Sequence, residues 1–474
     1  MLKYRNKERR IFTSRKRMRR RSNRLWAIAS FVLFLLVLEL LTRIFVDISG
    51  NRAKFTQNNS KSYVARAYQL KFVGSNANTT TNDNEVLKAK SSLSVGYELL
   101  KNQQSPYWQI NEQGFRDRDA VPLTKPKDEI RIFLLGNSTA FGYGSTDNTA
   151  TISEFLEQRL QQRLQQQKTS PNLYKPDILP LDKVKRQKSL AKPSQIKSGD
   201  YRVINASVPG YASGNELAQL ALKILKYKPD LIVVLDGYED LMLPSDREAV
   251  QAPLATDNAS EPTSFVGYLG QLIEPIENKS YLAKLAQNRW LNNRKNTKKS
   301  DFLLNEQTSN LVQHLPQSEP ELQQRVQRYL DRQKQILNLS AAAGVPLVVA
   351  MQPEITGRNP SQLTDTEGKI ATELGRTYIK QVRDSYPVLI QATQKLGNAF
   401  PKNMKVVDLY KLTDKYPSPS FIDPIHLNEA ANQKVAEQLY YAIASLSKMQ
   451  LVPQQPPPPK SVYPKTYKRN YRSN

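Results

Sequence analysis

The chain has 474 residues, a net charge of +26, two His and no Cys. This length suits two or three domains, or one domain with large insertions. The absence of Cys excludes disulfide scaffolds, thiolate zinc sites and Cys nucleophiles. His314 and His426 are too few for a His-rich metal site, and a catalytic His must be one of them. We therefore expect no metal and no other cofactor.

The N-terminus predicts a membrane anchor. Residues 1–24 hold twelve Lys or Arg and one Glu, and the run from Leu25 to Leu41 is predominantly apolar, with Glu39 as its one charged residue. Ile44, Phe45 and Val46 continue the apolar character, and about 20 apolar residues are needed to cross the hydrocarbon core. Because basic flanks stay in the cytoplasm, we predict a basic cytoplasmic arm over 1–24 and a single-pass transmembrane helix over 25–46. The remaining chain would then be extracytoplasmic, either periplasmic or on the cell surface.

Two other interpretations of this segment are weaker. The apolar region of a cleaved signal peptide covers about 7–15 residues before a small-x-small cleavage site, whereas this run is longer and no Ala-x-Ala follows it. The basic arm could also bind nucleic acid, but orientation and attraction to anionic lipid explain basic residues beside a membrane span more simply. We expect no nucleic-acid partner.

The exterior chain begins with a predicted stalk and N-terminal extension over residues 47–127. From about residue 128, short apolar strands alternate with amphipathic helices, which is typical of an α/β sandwich. Continuously apolar strands suit a parallel sheet that is covered on both faces. The five predicted strands are Ile130–Leu135, Tyr201–Asn205, Leu231–Leu235, Val345–Met351 and Met404–Asp408. Helices are predicted around Leu217 to Ile224, over 320–342, over 366–397 and from about Leu427 onward.

Two stretches interrupt this alternation and one follows it. Residues 160–199 are rich in Gln and Lys with scattered Pro, and residues 244–318 are of mixed character. We predict an insertion at each place. Residues 447–474 form a basic, Pro-rich tail, which is typical of a solvated or polyproline-like segment.

Residues suited to chemistry follow several of the predicted strands, where open α/β sheets place their sites. After the first strand comes Gly136-Asn137-Ser138-Thr139, whose Ser suits either an exposed nucleophile or an ordinary helix N-cap. Gly210 follows the second strand, and it either lets backbone approach a ligand or only makes a turn. Gly237 to Asp240 follow the third strand.

Asp423 and His426 follow the fifth strand and lead into the last helix. A carboxylate three residues before a His can orient the imidazole and stabilise the imidazolium. Taken alone, the His is better explained as a structural or surface residue.

Together, these four segments resemble the SGNH (GDSL-type) hydrolase family, over about residues 128–446. The resemblance implies a flavodoxin-like three-layer α/β/α sandwich with a five-stranded parallel sheet. It also implies that Ser138 is the nucleophile, with His426 as the base and Asp423 as the acid that orients it. The oxyanion hole would contain the N–H groups of Ser138 and Gly210, and the third block places Glu239 there.

Two positions depart from the family pattern. Asn137 stands where the family usually has Asp, which is tolerable because Ser138 and its backbone supply the chemistry. Glu239 stands where the family has Asn, whose amide donates to the oxyanion. A carboxylate donates no hydrogen bond unless it is protonated, and one lost donor typically costs about 10²–10³ in rate.

Residues 110–116, Ile-Asn-Glu-Gln-Gly-Phe-Arg, resemble an N-x-x-G-F-R stretch that precedes the first block in membrane-anchored members of the family. Asn111 and Gly114 would make a turn that Phe115 anchors on the core. We interpret this segment as structural, with substrate contact as the alternative.

The sequence therefore predicts a membrane-tethered, extracytoplasmic serine esterase that acts on acyl esters. The ester would be an O-acyl group of an envelope glycan or a lipid ester. Two alternatives stay open: an O-acyltransferase that uses the same triad, and a catalytically weak or inactive envelope assembly protein that keeps the fold.

Overall fold

A computed structural model describes residues 64, 67–73, 86–249, 311–415 and 419–456. All of these residues belong to one compact unit of the chain. The predicted basic arm and transmembrane helix (1–46) lie outside the described residues, as do most of the second insertion and the end of the tail. Among the described helices, none combines the length and apolar character that crossing a membrane requires.

The described part of the N-terminal extension contains five short strands. They form a three-stranded sheet, in which β1 is parallel and β3 antiparallel to β2, and a separate antiparallel pair. Their bounds are β1 Leu70–Phe72, β2 Leu87–Ser92, β3 Gly96–Leu99, β4 Gln103–Gln104 and β5 Gln109–Ile110.

The central sheet has five parallel strands, as the sequence predicts. They are β6 Glu129–Gly136, β7 Asp200–Asn205, β8 Leu231–Asp236, β9 Leu347–Met351 and β10 Met404–Asp408. Their order across the sheet is β10-β9-β8-β6-β7, which is the flavodoxin-like order. β7, the next strand in the chain, lies on one side of β6, and β8, the strand after it, lies on the other side. The carboxyl ends of β6 and β8 therefore flank the topological switch point.

Eight α-helices are described in the same part of the chain. They are α1 Ser138–Phe141, α2 Ile152–Thr169, α3 Lys183–Leu190, α4 Ser213–Gln219, α5 Tyr238–Met242, α6 Glu319–Ala342, α7 Asp365–Ala399 and α8 Glu429–Ser445.

Alternate strand residues face two separate cores, which makes the sandwich three-layered. Phe133 and Leu135 of β6 pack with residues of α6 and α7. Ile132 and Leu134, on the opposite face of the same strand, pack with residues of α2 and α8. Because side chains alternate along a strand, a strand buried on both faces must be apolar throughout, and this is why the strands are evident in the sequence.

The structure moves some predicted boundaries. The fourth strand begins at Leu347, after Pro346, whose lack of an N–H ends ladder pairing. Residues 160–169, assigned to the first insertion, continue helix α2, and Leu160 is fully buried. Residues 86–127 do not stand apart as a stalk, because their side chains share a core with Phe141, Val208 and Tyr211.

The turn after β6 requires Gly at position 136. Its φ is +148°, and a Cβ there would lie 2.3 Å from the Leu235 carbonyl oxygen and 2.6 Å from the Ala140 Cβ. The backbones of β6 and β8 thus approach each other too closely for any side chain. This close approach brings the turns after the two strands together.

We predict that Gly136→Ala destabilises the domain by about several kcal/mol. The new Cβ would clash with the Leu235 carbonyl oxygen and the Ala140 Cβ, and neither atom can move without a shift of the backbone. Gly368→Ala is the matched control. Gly368 lies in α7 with nothing within 4 Å of an added Cβ, so the change should be neutral or slightly stabilising. The measurement is the thermal midpoint of each variant. Equal midpoints for the two would contradict the prediction.

Candidate active site

Ser138 is the first residue of helix α1, directly after β6. The Oδ1 of Asn137 accepts a hydrogen bond from the Thr139 N–H at 3.0 Å and so caps the helix. Ser138 is 3% exposed. The short path from strand to capped helix holds the Ser at the carboxyl edge of the sheet.

Asp423 and His426 form a direct pair. The His426 Nδ1 lies 2.5 Å from the Asp423 Oδ2, and the Asp423 Oδ1 accepts from the His426 backbone N–H at 2.8 Å. Burial raises the pKa of Asp423, but the neighbouring His426 and its hydrogen bonds outweigh burial and hold that pKa below its usual value. Asp423 is therefore ionised at neutral pH. An ionised carboxylate on Nδ1 fixes the ring so that Nε2 is the basic nitrogen.

Three contacts hold the loop that contains His426 against the turn that contains Ser138. The Thr139 hydroxyl donates to the Ile425 carbonyl at 3.2 Å, which joins the residues next to Ser138 and His426. The Tyr143 ring stacks on the His426 ring, with centroids 4.1 Å apart and planes 17° from parallel. The Tyr143 N–H also donates to the Ser138 carbonyl at 3.0 Å. Predicted nucleophile, base and acid therefore share one edge of the sheet.

Gly210 lies in a tight turn beside the same edge. The Val208 N–H donates to the Gly136 carbonyl at 3.0 Å, and the Tyr211 N–H closes the turn on the Val208 carbonyl at 3.1 Å. Gly210 has a φ of +80°. With Pro209 before it, this is a type II turn, which needs positive φ at its third residue. Among the described residues, none accepts a backbone hydrogen bond from the Gly210 N–H.

Glu239, in the first turn of α5, faces Asn137 across the switch point. The Asn137 Nδ2 donates to the Glu239 Oε2 and to the Gln352 Oε1. Glu239 is 4% exposed. In this contact its carboxylate is an acceptor, whereas an oxyanion hole needs donors. The structure thus gives Glu239 a partner that accounts for a carboxylate at this position.

Gln352 joins the two loops that carry the Ser and the His. It directly follows β9, and its Nε2 donates to the Thr139 hydroxyl at 3.3 Å. That hydroxyl in turn donates to the Ile425 carbonyl. The sequence held a signal for Gln352, because it follows a strand in the same way as Ser138 does.

Arg116 clamps the far end of helix α1. Its Nη1 donates to the carbonyls of Phe141 and Gly142 at 2.9 and 2.7 Å, and its Nη2 donates to the Tyr68 hydroxyl at 2.9 Å. Phe115 packs edge-to-face on Phe133 of the core. The 110–116 segment therefore makes structural contacts beside the helix that begins at Ser138, and its position there had no signal in the sequence.

Three buried acids lie close together near the turn that follows β8: Glu216, Asp236 and Asp240. Burial and the neighbouring acids Asp236 and Asp240 raise the pKa of Glu216 well above its usual value. Burial and Asp240 also raise the pKa of Asp236 to about 7, although Tyr329 and Gln333 donate to it. These acids do not make a metal site, since the described part of the chain contains no group of three His, Asp or Glu residues suited to a metal ion.

Comparison with known proteins finds distant structural neighbours only. No family model and no curated protein matches the chain. A lipase/acylhydrolase from Enterococcus faecalis is 14% identical, with 66% of this chain and 95% of that chain covered and a TM-score of 0.31. An acetyl xylan esterase is 10% identical, with 66% and 100% covered and a TM-score of 0.30. A variant of a Geobacillus acetyl-xylooligosaccharide esterase is 10% identical, with 66% and 93% covered and a TM-score of 0.32. At such low identities and TM-scores, these comparisons say nothing about the reaction or the substrate of this chain.

We predict that Asn137 and Glu239 are energetically coupled. Asn137→Asp would set a carboxylate against the Glu239 carboxylate and should destabilise the domain by about 2–4 kcal/mol. Adding Glu239→Gln supplies an amide donor to the new Asp and should recover much of that loss. The measurement is a double-mutant cycle on the free energy of unfolding, with an expected coupling of about 1–3 kcal/mol. Additive effects of the two changes would contradict the contact.

We also predict that Glu216→Gln makes the domain more stable relative to the unchanged protein as pH rises. Burial and the neighbouring acids raise the pKa of Glu216 in the folded chain, so the folded chain keeps this proton to a higher pH than the unfolded chain does. Between the unfolded and the folded pKa of Glu216, the unchanged protein therefore loses stability as pH rises. Gln has no proton to release, so it removes this loss of stability, and its amide keeps a hydrogen-bond donor. The difference in thermal midpoint between the variant and the unchanged protein, at pH 5, 6, 7 and 8, measures the effect. A difference that stays constant with pH would contradict the prediction.

Proposed function

We propose that this chain is a serine esterase of the SGNH type that hydrolyses acyl esters. The observation that carries the proposal is the Asp423–His426 pair, at 2.5 Å, held by backbone and stacking contacts against the turn that presents Ser138. The flavodoxin-like strand order also supports the proposal, because Ser138 follows β6 beside the topological switch point, where sheets of this kind bind their ligands.

The reaction follows the logic of a catalytic triad. The His426 Nε2 accepts the Ser138 hydroxyl proton as the Oγ attacks the ester carbonyl, and Asp423 stabilises the imidazolium. The N–H groups of Ser138 and Gly210 support the oxyanion. The alcohol then leaves with the proton from His426, and an acyl-serine ester remains. Water, deprotonated by His426, attacks this ester and releases the carboxylic acid and the free serine.

The location belongs to the same proposal. The run from Leu25 to Leu41 and its basic flank support a tether that holds the esterase domain outside the cytoplasmic membrane. An O-acylated envelope glycan or a lipid ester would be the substrate within reach of a tethered domain. The contact between Glu239 and Asn137 supports activity over the inactive assembly protein, because it explains Glu239 without loss of function.

The test is labelling of the full chain by a fluorophosphonate, which reacts with activated serines. We expect labelling of the unchanged protein, none of Ser138→Ala, and a labelling rate about 10³–10⁴-fold lower for Asp423→Asn. Ser340→Ala is the matched control, because this buried serine of α6 has a hydroxyl without a hydrogen-bond partner in the described part of the chain. It should label normally.

Labelling that persists in Ser138→Ala would assign the reactive serine elsewhere. A folded, unchanged protein that does not label would refute the esterase proposal.

A further inference from the structure

The N-terminal extension reaches the turn that carries Gly210. The Tyr97 hydroxyl, from β3, donates to the Pro209 carbonyl at 2.7 Å. Tyr97 is fully buried, and the two residues are 112 positions apart in the chain. A hydroxyl from outside the sandwich thus binds the peptide group that joins Pro209 to Gly210.

This hydrogen bond determines the direction of the Gly210 N–H. The carbonyl of Pro209 and the N–H of Gly210 belong to one planar trans peptide unit, in which they point in opposite directions. Holding the oxygen toward Tyr97 therefore holds the N–H toward the opposite side of the turn.

The central peptide of a β-turn is the group that reverses when the turn changes type. In type II the third residue has positive φ, and in type I it has φ near −90° with the central peptide turned over. Gly210 can adopt both conformations because it has no side chain. The Tyr97 hydroxyl can bind the Pro209 oxygen only in the observed type II form, so it selects that form.

The remaining contacts of the loop leave this peptide dependent on Tyr97. The Gln219 Nε2 donates to the Ala206 carbonyl at 2.8 Å, and the Tyr211 N–H donates to the Val208 carbonyl. The second of these bonds forms equally in both turn types, because it joins the two ends of the turn. Tyr97 alone, among the described residues, binds the group that reverses.

We propose that Tyr97 is a positioning residue that orients the Gly210 N–H for the oxyanion. This rests on the proposed function, which assigns that N–H to the oxyanion hole. The N-terminal extension is then part of the active site, although it contributes no reacting group.

The test compares Tyr97→Phe with Tyr201→Phe in the full chain, using p-nitrophenyl acetate as the ester. Tyr201 is the matched control because it is also buried and its hydroxyl also donates to a backbone carbonyl, that of Lys197 at 3.0 Å, at the amino end of β7. We expect Tyr97→Phe to lower kcat about 5- to 100-fold with KM nearly unchanged, because the oxyanion forms only after substrate has bound. Tyr201→Phe should keep kcat, with a similar fall in thermal midpoint.

A second variant tests whether Tyr97 acts through the turn. Gly210→Ala disfavours positive φ and should also lower kcat, because it favours the reversed peptide. If both changes act through one reversal, the double variant should be little worse than the poorer single variant. Effects on kcat that multiply fully would overturn the proposal.

Each remaining outcome is decisive. Equal kcat values for Tyr97→Phe and Tyr201→Phe would overturn it, and so would a Tyr97→Phe variant that fails to fold, because the proposal gives the hydroxyl a local role. Failure of the unchanged protein to react with both the ester and the fluorophosphonate would instead refute the proposed function.

Discussion

The close approach of β6 and β8 at the switch point is the constraint on which the site depends. Parallel strands end at the same edge, and the chain turns away from β6 toward β7 while β8 lies on the other side. Gly136 has no room for a side chain between these strands. The turns after β6 and β8 therefore meet, and Asn137 can bond to Glu239 although the two are 102 positions apart. The Ser turn is rigid because it is enclosed by neighbouring strands.

The N-terminal extension supplies a second layer of support to that edge. Arg116 satisfies carbonyls at the end of the helix that begins with Ser138, and Tyr97 binds the turn that contains Gly210. Loss of one hydrogen-bond acceptor of a buried guanidinium costs free energy, because its N–H group is left unpaired. Arg116 therefore stabilises the extension and the sandwich together. The sandwich alone would lack the contacts that fix both turns.

The sequence predicted the sheet well because buried parallel strands are apolar without interruption. All five strands were predicted within about two residues. Ser138, Gly210, Glu239, Asp423 and His426 were singled out because they follow predicted strand ends and because their segments together resemble one family, and their roles stay predictions. Residues 160–169 of helix α2 were assigned to an insertion because they are rich in Gln, which gives little apolar periodicity. Tyr97 could not have been predicted, since nothing in a lone Tyr indicates a carbonyl 112 residues away. Gln352 could have been, because it follows β9 directly.

The two departures from the family pattern, Asn137 and Glu239, are explained together by the hydrogen bond that joins them. That pattern has an acid before the Ser and an amide in the third block, whereas this chain has the amide at 137 and the acid at 239. Considered alone, Glu239 would bring a carboxylate toward a developing oxyanion, which is unfavourable. In the structure, its oxygen accepts a hydrogen bond from the Asn137 amide, so one acid and one amide still face each other across the switch point. Because Asn137 also caps the Ser helix through its other atom, the exchange keeps the amide oriented and the helix in place. In the proposed mechanism, stabilisation of the oxyanion would then come from backbone N–H groups, and for this reason the orientation of the Gly210 peptide would matter more here than beside an Asn at position 239.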